Sequence, residues 1–109
     1  MTWDMYYDRQ GVPMDRNAYA SAKYQDDGYK IVQQDTVSGF FVSTVWLGID
    51  HRIGNGPPLI FETMVFDQRD DAESWSDVYC ERYTTEDAAR AGHDQALAWV
   101  RDKLAQEVS

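Results

Sequence analysis

Basic side chains are scarce in this sequence. Ten Lys and Arg stand against nineteen Asp and Glu, for a net charge of −9. Phosphate contacts made by basic patches supply much of the affinity of nucleic-acid binders, so direct binding of DNA or RNA is not expected. Cysteine is almost absent. The lone Cys80 excludes an internal disulfide, and its place in an apparent strand reads as a buried, inert thiol. Long apolar runs are missing too. None approaches the ~20 residues of a membrane helix, and Met1-Thr2-Trp3-Asp4-Met5 has neither a basic region nor an apolar core, so no signal peptide is expected. A reducing cytoplasm fits these features.

Aromatic residues are abundant at 14%, including Trp3, Trp46, Trp75 and Trp99. Large rings bury much area per residue, which suits a chain of 109 residues forming one domain over residues 1–109. The expected core is a thin one of two layers, helix on sheet. Acidity is concentrated: residues 67–85 hold six carboxylates and two arginines.

Period-2 patterning marks the strands. Residues 3–8 read as a short strand, and Asp8-Arg9-Gln10-Gly11 as a turn. Val12-Pro13-Met14-Asp15 reads as a helix approach, with Asp15 capping a short helix to about Tyr24 and Asp26-Asp27-Gly28 ending it. Strands follow at Tyr29–Asp35, Phe40–Ile49, Leu59–Phe66 and Trp75–Tyr83. Phe40, Val42, Thr44 and Trp46 share one face of the second of these. Phe41, Ser43, Val45, Leu47 and Ile49 share the other. Both faces are apolar enough to predict a central strand covered on both sides. The link from Asp50 to Pro58 is too short for a parallel crossover, so the pair it joins is antiparallel.

Thr84 with Asp87 reads as a capping box, with Tyr83 and Ala88 as a staple, for a helix running to about Ala105. Ala89, Gly92, His93, Ala96, Trp99, Val100 and Leu104 form its inward stripe. The fold class is therefore α+β: an antiparallel sheet of about four to five strands against one long C-terminal helix, with a short N-terminal helix. One helix covers one face only. An exposed face beside Trp46 or Phe41 would favour a homodimer, and either the N-terminal helix or a second copy would cover it.

Ser43 to Phe66, with Trp46-Leu47-Gly48-Ile49-Asp50-His51 and Gly54-Asn55-Gly56-Pro57-Pro58 at its centre and Phe61-Glu62-Thr63-Met64 beyond, resembles a signature of small proteins of actinobacterial phages and their hosts. Tyr6-Tyr7-Asp8-Arg9-Gln10-Gly11-Val12-Pro13-Met14 is similar to their N-terminal piece. Arg82-Tyr83-Thr84-Thr85-Glu86-Asp87 with Ala91-Gly92-His93 is similar to their C-terminal piece. The resemblance implies a phage or prophage origin and a host-cytoplasm setting. It carries no activity and no catalytic residue.

Two places are candidate binding sites. Asp50, His51 and Arg52 lie in a Gly/Pro-rich hairpin loop, which reads as a structural loop first and a ligand loop second. Asp70, Asp71 and Glu73 precede Trp75, a stretch that is either a solvated acidic face or a partner surface anchored by the indole. A metal site from His51 and His93 with Asp50 or Glu62 lacks any ligand spacing, and His93 on the inward stripe reads as a buried, hydrogen-bonded histidine. Glu62, in mid-strand, reads first as a carboxylate near an edge or paired with Arg52 or Arg82, and second as a general base. No nucleophile–base arrangement is readable, and no cofactor or catalytic residue is assigned. The expected function is binding of a host protein by acidic surface and exposed aromatics, a DNA-mimicking inhibitor being its sharpest form. The alternatives are a small metal-dependent enzyme or ligand binder using the Asp50-His51 loop, and a self-associating structural component.

Overall fold

The computed structural model describes residues 6–25, 27–49 and 56–108. Two short strands, β1 (Tyr6–Tyr7) and β2 (Pro13–Met14), form an antiparallel ribbon. Asp8 builds the turn between them, its Oδ1 accepting from the backbone N of Gln10 and of Val12 at 2.9 Å each. The helix approach expected at residues 12–15 is thus a second strand, a pairing too short to leave a periodic signal.

Helix α1 (Arg16–Gln25) begins where expected, with Asp15 Oδ1 accepting from the Ala18 N at 2.8 Å. A single helical turn, α2 (Asp27–Lys30), follows. Gly28 therefore lies inside a helix instead of ending one, and the next strand starts at Ile31 rather than Tyr29.

Four strands, β3 (Ile31–Val37), β4 (Phe40–Trp46), β5 (Phe61–Asp67) and β6 (Asp77–Tyr83), form an antiparallel sheet in that order. Ser38 and Gly39 join β3 to β4 with φ values of 49° and 89°, the two positive angles of a tight turn whose twist matches its flanking strands. Trp75 precedes β6 instead of starting it.

Helix α3 (Glu86–Val108) covers one face of the sheet. Its cap is Thr85, one residue later than expected, with Oγ1 accepting from the Ala88 N at 3.1 Å. The expected box of Thr84 with Asp87 is replaced by this single cap. Glu86 instead accepts from Arg9 Nε at 2.7 Å, clamping the first turn to the N-terminal ribbon. Ala89, Gly92, His93, Ala96 and Val100 are buried as the stripe requires, while Trp99 and Leu104 are half-buried. Phe40, Val42 and Val65 pack against Ala96 and Val100, and Trp46, Ile60 and Phe61 against Ala89.

The N-terminal helix joins this same side, Tyr19 packing on Trp46 with ring centroids 5.6 Å apart. The opposite face of β4 and β5 is left without a covering layer among the described residues. That corrects the expectation of a strand covered on both sides. No helix among the described residues is long and apolar enough to cross a membrane.

Candidate functional site: the uncovered sheet face

Strand register decides which side chains meet on the open face. Phe41 pairs with Phe66, Ser43 with Met64 and Val45 with Glu62, while Met64 pairs with Cys80 and Glu62 with Arg82. Directly opposed residues point the same way, so these pairs form one surface. Phe41, Ser43, Val45 and Met64 are half-buried there. Trp75, 64% exposed, stands over one end, edge-on to Phe66 at 5.2 Å and to Phe41 at 6.0 Å. Phe66, between Trp75 and the stacked Phe41 ring, is only 9% exposed.

A shallow trough of about 490 Å³ runs over this surface, lined by Gln34, Phe41, Ser43, Val45, Met64, Phe66 and Trp75. Ser43, flanked along its face by Phe41 and Val45, is the smallest side chain in the lining and makes its low point. Gln34 Nε2 donates to the Ser43 Oγ at 2.9 Å and forms one wall.

Charge at the far end is of one sign. Asp70, Asp71 and Glu73 before Trp75 and Asp77 after it are all exposed, and residues 70–77 contain no Lys or Arg. Asp71 shapes the loop, its Oδ1 accepting from the Glu73 N at 2.9 Å. The nearest arginine in sequence is committed elsewhere: Arg69 binds Asp67 at 2.7 Å and Glu107 at 2.5 Å, holding the Asp67 carboxyl down to about 2.

Glu62 is on an interior strand rather than an edge, and it accepts from Arg82 Nε at 2.9 Å, the pairing anticipated. Cys80 corrects the buried-thiol expectation. The residue is exposed on this face, yet its thiol is pushed up to about 11, first by partial desolvation under its neighbours and then by the Glu62 carboxylate 3.5 Å away.

His93 lies on the opposite, covered side and is fully buried. Its Nε2 is 2.7 Å from Asp35 Oδ2 and its Nδ1 is 2.7 Å from Thr44 Oγ1, which in turn bonds the Thr63 hydroxyl. The chain of groups has the composition of an acid–base relay. However, both hydroxyls are completely enclosed, so no substrate reaches them. Among the described residues no three His, Cys, Asp or Glu side chains converge as metal ligands. Asp50, His51 and Arg52 lie outside the described residues.

Trp75, with the acidic stretch before it in sequence, thus joins the face of Phe41, Ser43, Val45, Met64 and Phe66; of these the sequence points only to Phe41, as part of an exposed face, while Trp46 is buried on the covered side. The signal for them is the apolar outer alternation of residues 40–49 and 59–66, a pattern that burial produces equally. Comparison with protein-family models, curated proteins and solved structures finds no match.

Proposed function

We propose that the chain is a non-enzymatic interaction protein that binds a basic protein partner through the uncovered sheet face. One observation carries the reading: an exposed tryptophan caps an apolar trough, and the loop and strand start on either side of it in sequence carry four exposed carboxylates. Aromatic anchors at the centre of a desolvated patch dominate binding energy, and the charged rim supplies steering and partner choice. Exposed apolar faces with polar rims mark interaction sites. A focus of negative charge on a chain of net charge −9 selects basic surfaces, as an occupant of a nucleic-acid enzyme's groove would. The resemblance to small phage proteins favours a host protein as the partner and the host cytoplasm as the setting.

Affinity capture from lysate of the presumed host tests this with three baits: the native chain, Trp75→Ala, and Asp70→Asn with Asp71→Asn and Glu73→Gln. The expected result is a basic protein retained by the native bait, eluted by salt and lost with both variants. Retention of the same proteins by all three baits would sink the reading.

A further inference from the structure

We infer that the open face takes a single basic, amphipathic α-helix of the partner, with one long apolar side chain seated over Ser43. This rests on the interaction reading above. The first argument is hydrogen bonding. The trough lies over β4 and β5, and each of these is paired on both sides, β4 with β3 and β5, β5 with β4 and β6. Their backbone groups are therefore already used, and the face offers side chains only. An extended peptide gains its affinity by adding to a free strand edge, and here it would leave its own N–H and C=O groups unpaired against Phe41, Val45 and Met64. A helix satisfies its backbone internally and presents one apolar face.

The second argument is size. Strands of seven residues extend about 23 Å, matched by a helix of about 15 residues. The low point at Ser43, between Phe41 and Val45 and walled by Gln34, suits one Leu, Met or Phe set against the Trp75 end. The third argument is charge. Asp70, Asp71, Glu73 and Asp77 favour Lys and Arg on the helix flanks. A second copy of this chain would bring the same acidic rim and another net −9 against the first, which is the weaker fit.

The probe is a labelled synthetic helix of about 16 residues with Leu or Met at i, i+4, i+7 and i+11 and Lys or Arg on the flanks. It is titrated by fluorescence anisotropy against the full-length chain. One control peptide carries Glu for each Lys and Arg, and another carries a central proline that breaks the helix. The native chain should bind the probe, and both controls should bind about tenfold or more weakly. Ser43→Trp, which fills the low point, and Trp75→Ala should each weaken binding about tenfold, while Ser43→Ala should not, with circular dichroism confirming that all variants fold. Equal binding by Ser43→Trp and the native chain would reduce the effect to diffuse charge attraction and overturn the inference. So would equal binding of the proline peptide. Light scattering that shows a dimer dissolved by Trp75→Ala would assign the face to a second copy and also overturn it. Failure of the probe while lysate capture still depends on Trp75 would remove the helix and leave the interaction reading; indifference of capture to Trp75 would remove both.

Discussion

His93, on the long helix, and Asp35, on an edge strand 58 residues earlier in the chain, are joined by a 2.7 Å hydrogen bond. The ring bonded to it holds the Asp35 carboxyl below its ordinary range. An ionised carboxylate only accepts, so Nε2 carries the hydrogen. The ring is fully buried, while Asp35 keeps 42% of its side chain in solvent. The bond therefore pins the helix to the sheet margin through an imidazole that cannot turn to water. His93→Ala would leave a cavity and strip Thr44 of a partner. We expect a loss of roughly 3 kcal/mol in urea unfolding. Asp35→Asn keeps an acceptor and should cost about 1 kcal/mol. A double-mutant cycle with no coupling between the two would show that the bond does not hold the helix.

Helix approach is limited at Gly92. A Cβ there would lie 2.1 Å from the Tyr83 hydroxyl and 2.2 Å from its ring, so either the ring or the helix must move. Gly92→Ala should gain helix propensity yet lose a net ~1–3 kcal/mol from overpacking, read as a lowered melting temperature. The Tyr83 hydroxyl is itself buried beside Thr63 and makes no hydrogen bond of full geometry among the described residues. Tyr83→Phe removes that unpaired group and should be neutral or slightly stabilising. A marked loss on Tyr83→Phe would mean that the hydroxyl is bonded after all.

Much of this architecture was legible because its signals are local. The stripe from Ala89 to Val100 announces α3, and Asp15 announces α1. The cap slipped by one residue because Thr84 and Thr85 offer the same hydroxyl chemistry. What was not legible depends on register and long-range pairing. Nothing local marks Pro13 and Met14 as a strand, since their partners across the ribbon are Tyr7 and Tyr6. Cys80 is exposed because it lies opposite Met64 on the open face, a fact of pairing and not of composition. Trp75 reads equally as core or anchor until Phe41 and Phe66 are found beneath it. The uncovered face was hidden by its own chemistry, because apolar alternation on both sides of a strand ordinarily means two covering layers.

Acid should destabilise the fold through a small set of carboxylates. Asp67 is held down to about 2 by its bonds to Arg69, Glu86 is lowered first by Arg9, and Asp35 is lowered by His93. A depressed folded value means that the unfolded chain takes up the proton first. Each contribution is thus complete above the ordinary carboxylate range near pH 4 and is lost as pH falls from there towards 2. Urea midpoints measured from pH 7 to pH 2.5 should be flat in their upper part and fall steeply below pH 4. Asp67→Asn should make that fall shallower. An unchanged slope in this variant would show that the Arg69 bond contributes nothing to acid sensitivity.

The Cys80 thiol reports directly on the open face. At about 11, its pKa leaves the thiolate at pH 8 about a hundredfold scarcer than at the ordinary value of 9.0. Alkylation by iodoacetamide, which consumes the thiolate, should therefore be slow at pH 8 and still rising at pH 10, where an unperturbed thiol has levelled off. Desolvation is the larger cause and the Glu62 carboxylate the next, so Glu62→Gln should speed the reaction at pH 8 by about threefold without restoring an ordinary profile. A plateau near pH 9.5 in the native chain would mean that the thiol is fully hydrated and that neither its neighbours nor the Glu62 carboxylate perturbs it.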